Sequence, residues 1–316
     1  MVAVVATVKN EEASIVRLLD SLLAQTRRPD EIVICDGGST DRTVAIIQGY
    51  IARGAPVRLL EAPGANISTG RNRAIAATRS DLIAVTDAGV RLSPTWLARI
   101  TAPLEQDPTV DVVSGFFRSA PESLFELALG ATTLPDVDEI DPARFLPSSR
   151  SVAFRRRVWE QVGGYPEWLD YCEDLVFDLA LRRAGCRFVF VPEAVVDYRP
   201  RSSLGAFFRQ YYLYARGDGK AGLWTHRHAI RYGTYLVGAP LVLLTGLWYK
   251  VAWLVLGAAA LGYVYRPYRR LFRRLGPLGW RERLLAVLLV PLLRLTGDVA
   301  KMLGYPVGCW WRWRRR

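Results

Sequence analysis

Three acidic clusters carry residue types that could do chemistry. Cys35-Asp36-Gly37-Gly38-Ser39-Thr40-Asp41 is a short acidic, glycine-rich loop, Thr86-Asp87-Ala88-Gly89 ends an apolar run, and Glu173-Asp174 opens a helical pattern. A carboxylate at the carboxyl end of a strand can accept a hydrogen bond from a base or a ribose, or help hold a cation. A carboxylate at the start of a helix can take a proton from an attacking hydroxyl. Each cluster also has a plain structural reading. Asp41 or Ser39 can cap a helix, glycines supply positive φ, and Glu173 and Asp174 complement a helix macrodipole. Arg199, Arg201, Arg209 and Arg216 follow and could neutralise an anionic leaving group, or lie as a basic face on anionic lipid.

The clusters need a scaffold, and the apolar pattern describes one. Residues 2–8 form a continuous valine-rich run, and 31–35, 57–60 and 81–86 repeat it, the signature of buried parallel strands. Ile15, Leu18, Leu19, Leu22 and Leu23 stand at helical spacing after Asn10, Glu11 and Glu12, which suit a helix N-terminus. Strand, helix, strand over about 35 residues is a right-handed βαβ unit. Residues 43–52 and 69–77 read as further helices, so the first hundred residues alternate in α/β fashion. Residues 121–147, with four prolines and several acids, read as an irregular surface excursion. Order resumes with 155–162, a Gly163-Gly164 turn, a helix over 172–184 and a strand over 187–191. Residues 203–216 follow as a helix able to lie at an interface.

Taken in order, these motifs resemble the family 2 glycosyltransferases of the GT-A fold. The resemblance is carried by Ala6-Thr7-Val8-Lys9-Asn10-Glu11-Glu12, Leu22-Leu23-Ala24-Gln25-Thr26, the loop 36–41, Gly70-Arg71-Asn72-Arg73, Asp87 and Glu173-Asp174. It spans residues 2–222. It implies a GT-A, Rossmann-like, mostly parallel sheet flanked by helices, with a nucleotide-sugar half over about 1–115 and an acceptor half over about 116–222. It also implies a nucleotide-diphosphate sugar donor, UDP- or GDP-linked, bound by Thr7, Glu11, Asp36, Arg71 and Asp87. Asp174 would be the catalytic base with Glu173 in support, and Arg209, Gln210 and Arg216 would serve the diphosphate or acceptor side. Asp87 matches the first aspartate of the family's Asp-x-Asp metal signature. Gly89 stands where the second aspartate is expected, so a divalent cation, Mg²⁺ or Mn²⁺, would have Asp87 as its sole carboxylate from this motif.

Charge and hydropathy divide the chain in the same place. Residues 1–198 hold 21 Lys and Arg against 27 Asp and Glu, a net of −6, whereas residues 199–316 hold 21 against 3, a net of +18. The basic third also carries the apolar runs 232–265 and 284–311. That combination points to an anionic membrane rather than to nucleic acid. As a single helix, 232–265 would be about 51 Å long against a hydrocarbon core of about 30 Å, so a hairpin of two short spans is expected. The run 284–311, interrupted by Arg294, Asp298 and Lys301, reads as interfacial or as another short hairpin. The expectation is therefore a membrane-associated helical region over 223–316, with its basic loop and tail in the cytoplasm beside the catalytic domain. His226 and His228 read as solvated interface residues. The four cysteines show no metal spacing and read as buried thiols of a reducing compartment.

These readings converge on a hexosyltransferase-type, inverting enzyme of the cell envelope, localised at the cell membrane. Its partners would be a nucleotide-sugar donor, a lipid or lipid-linked saccharide acceptor and the membrane. The rival readings are a processive polysaccharide synthase subunit and a non-catalytic nucleotide-binding membrane scaffold.

Overall fold

The structure is a computed structural model that describes residues 1–276 and 278–315. Its strands are β1 (Val2–Val8), β2 (Glu31–Asp36), β3 (Val57–Glu61), β4 (Leu82–Asp87), β5 (Val90–Leu92), β6 (Val112–Ser119), β7 (Val152–Arg155) and β8 (Phe188–Tyr198). The helices of the first part are α1 (Ile15–Leu23), α2 (Thr43–Ala52), α3 (Ile67–Ala77), α4 (Trp96–Gln106), α5 (Leu124–Thr133), α6 (Arg156–Gln161) and α7 (Glu173–Arg183). Those of the last third are α8 (Leu204–Ala221), α9 (Thr225–Gly233), α10 (Ala239–Thr245), α11 (Val251–Phe272) and α12 (Trp280–Arg314). The chain forms two compact units, Met1–Arg118 with Val137–Arg199, and Ser119–Asp136 with Pro200–Arg316.

In the first unit the strands form one sheet in the order β3-β2-β1-β4-β7-β6-β8-β5. The alternation of a strand sends Val2, Val4, Ala6 and Val8 to one face and Ala3 and Val5 to the other, and both faces are covered. Ile15, Leu18, Leu19 and Leu22 of α1, with Trp96, Leu97 and Ile100 of α4, close the first face. Ala74 and Ile75 of α3, Val158 of α6, and Phe177 and Leu181 of α7 close the second. The expected mostly parallel sheet needs correction. Strands β3, β2, β1 and β4 are parallel, but β4–β7, β6–β7 and β5–β8 are antiparallel, so the sheet is mixed. The parallel half follows from the βαβ crossovers of the first 87 residues, which later connections do not repeat.

Parallel register fixes where the chemistry stands. Thr7 lies opposite Cys35 on one side and Asp87 on the other, and Val8 lies opposite Asp36. The chain leaves β1 toward β2 and β3 and returns to its other side at β4. The carboxyl ends of β1 and β4 thus flank the switch point where ligands of open α/β sheets bind.

The excursion expected over 121–147 contains a helix, α5. Ser123 caps it by accepting from the Glu126 amide at 3.2 Å, and the Glu126 carboxylate accepts from the Glu122 amide at 2.7 Å. Strand β8 runs past Val191 through Pro192 to Tyr198. Its pairing with β5 begins only at Val196, so that neighbour asks no amide donor of Pro192.

In the second unit α8 and α12 lie backbone to backbone. A Cβ on Gly308 would sit 2.7 Å from the Lys220 amide nitrogen and 2.9 Å from the Gly219 Cα, and one on Gly304 would strike the Tyr212 carbonyl. Asp298 of α12 accepts from Tyr263 Oη of α11 at 2.7 Å and from Arg231 Nε of α9 at 2.8 Å. His228 is buried rather than solvated, stacked 3.8 Å from the Tyr305 ring with Nε2 at 3.2 Å from Asp218. The four cysteines are free thiols, Cys35 buried and the others half-buried.

The expected membrane-spanning hairpin is corrected: no helix among the described residues is long and apolar enough to cross a membrane. The run 232–265 is broken by a turn between α10 and α11, and α11 is apolar only from Val251 until Arg266. A span needs about 20 such residues. In α12, Arg294, Asp298 and Lys301 interrupt the apolar stretch. Of the basic tail, Arg316 lies outside the described residues.

The close approach at Gly308 makes a stability prediction. Gly308→Leu should cost about 1–3 kcal/mol or more, because the added side chain meets backbone that cannot yield. Gly257→Ala, where nothing lies within 4 Å of the new Cβ, should be neutral or stabilise by up to about 1 kcal/mol. Thermal unfolding of both variants is the check, and equal midpoints would show that α8 and α12 are not in contact at Gly308.

Candidate active site

The loops after β1 and β2 are laced to each other. Asn10, at φ +55°, donates its amide to Ser39 Oγ at 2.9 Å and accepts the Thr40 amide on Oδ1 at 2.8 Å. The Glu11 amide donates to Thr43 Oγ1 at 2.8 Å, and the Glu12 amide to Asp41 Oδ2 at 3.1 Å. Asp36 is buried and organises its own loop: Oδ2 accepts the Gly38 and Ser39 amides, each at 2.9 Å, and Oδ1 accepts the Ser39 hydroxyl. A carboxylate has about four lone-pair sites, so this loop role leaves acceptor capacity for a bound base. Gly38, at φ +90°, takes a conformation that side chains resist. Asp41 closes the start of α2 by accepting the Thr43 amide at 3.0 Å; desolvation pulls its carboxyl up, but hydrogen bonds from Thr43 and the Glu12 amide outweigh this and hold it below the usual range.

Behind these loops lies one buried cation. Gly70 of α3 rests against Thr7, where a Cβ would come 2.7 Å from Thr7 Cγ2, and this approach carries the next residue, Arg71, into the interior. The Arg71 side chain is 2% exposed. Its Nη2 donates to Asp87 Oδ1 at 2.8 Å and its Nη1 to Glu173 Oε1 at 2.6 Å, and its guanidinium lies 5.2 Å from the centre of the Tyr165 ring. Burial disfavours the charge, but Asp87 and Glu173 more than offset that, so Arg71 stays protonated. Burial, and then Asp174 alongside, push the Glu173 carboxyl up to about 7 against the pull of Arg71. Asp178, one turn further along α7, is buried, and its acid range is raised well above the ordinary one by burial and by Asp174. Asp174 is half-buried and accepts the Leu175 amide on Oδ1 at 2.8 Å.

Asn72 clamps the segment leading into this acidic pair. It donates to the Tyr165 carbonyl at 2.8 Å and to Glu167 Oε1 at 2.9 Å, and accepts from the Tyr165 amide at 2.9 Å and from Trp159 Nε1 at 3.1 Å. All four hydrogen-bonding sites of the amide are used. The turn at Gly163 and Gly164 takes φ +77° and +78°, which lets the chain return onto α3.

The donor set for a cation is poor. Among the described residues no three His, Cys, Asp or Glu side chains form a group that could hold a metal ion. Asp87 Oδ1 is committed to Arg71, and Oδ2 faces Arg150 Nε at 3.9 Å. The position of a Cβ on Gly89 has nothing within 4 Å. The residues present do not fit a divalent cation held by the protein.

Of the residues expected from sequence, Thr7, Glu11, Asp36, Arg71, Asp87, Glu173 and Asp174 belong to the first unit. Arg71, Asp87 and Glu173 are in direct contact, Thr7 lies under Gly70, and Asp36 and Glu11 belong to the laced loops. Arg209, Gln210 and Arg216 stand on α8 of the second unit, where Gln210 Nε2 donates to Tyr214 Oη at 2.9 Å. Trp96 is core, its Nε1 donating to Ser151 Oγ at 2.8 Å, and Trp168 is exposed. Arg150, Tyr165 and Asp178 were not anticipated. Arg150 lies in a Ser-Ser-Arg-Ser stretch with no periodicity, and Asp178 reads on α7 as an ordinary polar position.

The raised Glu173 carboxyl sets a pH dependence. A carboxyl more easily protonated in the fold than in the unfolded chain lends stability at low pH and loses it as pH rises from about 4.5 toward 7. Glu173→Gln should therefore lose about 1–3 kcal/mol less between pH 5 and pH 8 than the parent chain does. Urea unfolding at the two pH values checks this. Parallel losses in both proteins would place the Glu173 titration in its ordinary range.

Comparison with known proteins bears on the family. Glycosyl transferase family 2 matches residues 3–148, and Glycosyl transferase family group 2 matches residues 82–297, more than half of the chain. The uncharacterized glycosyltransferase EpsJ of Bacillus subtilis is 26% identical over 209 residues, covering 63% of this chain and 61% of that protein's length. The N-acetylglucosaminyl-diphospho-decaprenol L-rhamnosyltransferase of Mycobacterium tuberculosis is 27% identical over 267 residues, 70% of this chain and 85% of that protein. Among solved structures, a mannosyltransferase from Pyrobaculum calidifontis in complex with GDP-Man and Mn²⁺ superposes with a TM-score of 0.67. It is 20% identical, over 95% of this chain and 86% of that one, a likeness of fold alone that agrees with the GT-A arrangement. By the extent of the family match, the chain belongs to glycosyl transferase family group 2.

Proposed function

We propose that the chain is an inverting glycosyltransferase that moves a sugar from a UDP- or GDP-linked donor to a lipid-linked saccharide at the cytoplasmic face of a membrane. The observation that carries the reading is the Arg71 bridge. It ties Asp87, at the strand end beside the switch point, to the Glu173-Asp174 pair at the start of α7. A donor-side carboxylate and an acceptor-side carboxylate thus belong to one rigid cluster.

In the proposed reaction the acceptor hydroxyl attacks the anomeric carbon from the face opposite the diphosphate. Asp174 takes the hydroxyl proton as the new bond forms. Glu173, engaged by Arg71 and shifted toward its neutral form, positions that base rather than acting as one. Asn72 and Tyr165 hold the approach to α7 in place.

The acceptor assignment has two supports. The mycobacterial relative is named for transfer to N-acetylglucosaminyl-diphospho-decaprenol, a lipid-linked saccharide. In addition, Leu241, Leu247, Trp248, Trp253 and Leu254 of the second unit are each at least 50% exposed, on a segment flanked by basic residues. Such a surface suits the interface of an anionic leaflet.

The test supplies the full chain, in vesicles carrying lipid-linked saccharides, with a panel of UDP- and GDP-sugars, and follows lipid mass and anomeric configuration. The expected result is mass gain with inversion. Asp174→Asn should lower kcat at least about a hundredfold on a hydroxyl acceptor while leaving nucleotide affinity unchanged. Near-parental turnover by that variant removes the base role, and binding without turnover for every donor and acceptor supports a scaffold instead.

A further inference from the structure

The surroundings of Asp87 suit an anion better than a cation. Its carboxylate stands between two guanidinium groups, Arg71 at 2.8 Å and Arg150 at 3.9 Å. Arg71 is spent on two carboxylates in the interior. Arg150 also has partners, with Nη1 donating to Ser148 Oγ at 3.1 Å, but its side chain is 19% exposed where that of Arg71 is 2% exposed. Its guanidinium lies 4.5 Å over the Tyr198 ring and 5.5 Å from the Phe117 ring. The backbone is anchored separately, since the Arg150 carbonyl accepts from Thr86 Oγ1 at 3.1 Å, one residue before Asp87. The aromatic faces and this anchor hold a planar, permanently charged fork beside the strand end where a ligand's phosphates approach.

A divalent cation approaching Asp87 would meet this second guanidinium and would find open space, not a carboxylate, at Gly89. We propose that the guanidinium of Arg150, in place of a divalent cation, takes up the charge of the donor's diphosphate. The inference rests on the donor reading given above. As the acceptor oxygen bonds to the anomeric carbon, the bond from that carbon to the phosphate oxygen breaks, and its electron pair leaves with the diphosphate. Asp174 holds the acceptor proton, and Arg150 donates hydrogen bonds to the departing phosphate oxygens. Arginine suits this role because its fork can meet phosphate oxygens in pairs.

The test measures the affinity of the full chain for UDP and for GDP by calorimetry, in EDTA and in Mn²⁺. The parental chain should bind its preferred diphosphate within about threefold under the two conditions, whereas Arg150→Ala should weaken binding in EDTA by about tenfold or more. Arg150→Lys, which keeps the charge and loses the fork, should fall between them. Because the parental chain alone reads the cation dependence, the test does not rely on any variant folding. If parental binding drops tenfold or more in EDTA and Mn²⁺ restores it, a cation does this work; the inference is overturned and the donor reading stands. Unchanged affinity of folded Arg150→Ala in EDTA also overturns it. If neither UDP nor GDP binds under either condition, the donor reading fails and takes the inference with it.

Discussion

A guanidinium taken out of water at Arg71 governs the first unit. Stripping a cation of its hydration costs several kcal/mol unless its hydrogen bonds and its charge are met inside the fold. Arg71 meets most of that demand with carboxylates from two distant parts of the chain, Asp87 at the end of β4 and Glu173 at the start of α7, and with the face of Tyr165, while its Nε has no hydrogen-bond partner among the described residues. The constraint runs both ways. Two carboxylates and the adjacent Asp174 share one buried cation, and burial first, then Asp174, raise Glu173 against the pull of Arg71. The electrostatics of the site therefore follow from placing one arginine where Gly70 allows α3 to press on Thr7.

The remaining geometry elaborates that constraint. Parallel register places Thr7, Asp36 and Asp87 at one end of three strands, and laced loops fix the backbone around them. Asn72, one residue beyond Arg71, spends its whole amide on the segment that precedes α7, so the same turn of α3 positions both the cation and its acidic partner. The second unit is organised by other means. There, glycines let α8 and α12 approach through their backbones, and Asp298 gathers hydrogen bonds from α9 and α11.

Legibility in the sequence followed locality. Runs such as Val2–Val8 and the spacing of Ile15, Leu18, Leu19 and Leu22 are local patterns, and they correspond to β1 and α1. The Pro192 stretch was not legible as strand, because a proline reads locally as a breaker, whereas β8 continues through it to pair with β5 from Val196 onward. Helix α5 had a local signal, Ser123 followed three residues later by Glu126, which the surrounding prolines obscured. The apolar stretch 232–265 misled for a related reason: hydropathy reports composition, whereas crossing a membrane requires one uninterrupted helix, and a turn divides this one. The contacts of Arg71 with residues 16 and 102 positions away, and of Arg150 with Asp87, belong to tertiary structure and leave no periodicity to read.

The central claim is that Arg71 and Glu173 act as one buried unit. A double-mutant cycle tests it directly, with Arg71→Met, Glu173→Gln and the double variant unfolded in urea at pH 8, where Glu173 is predominantly ionised. The account predicts a coupling of about 1–3 kcal/mol, with the double variant more stable than the sum of the single losses allows. Losses that add to within about 0.5 kcal/mol would mean the two side chains do not interact in the folded protein, and would contradict the account.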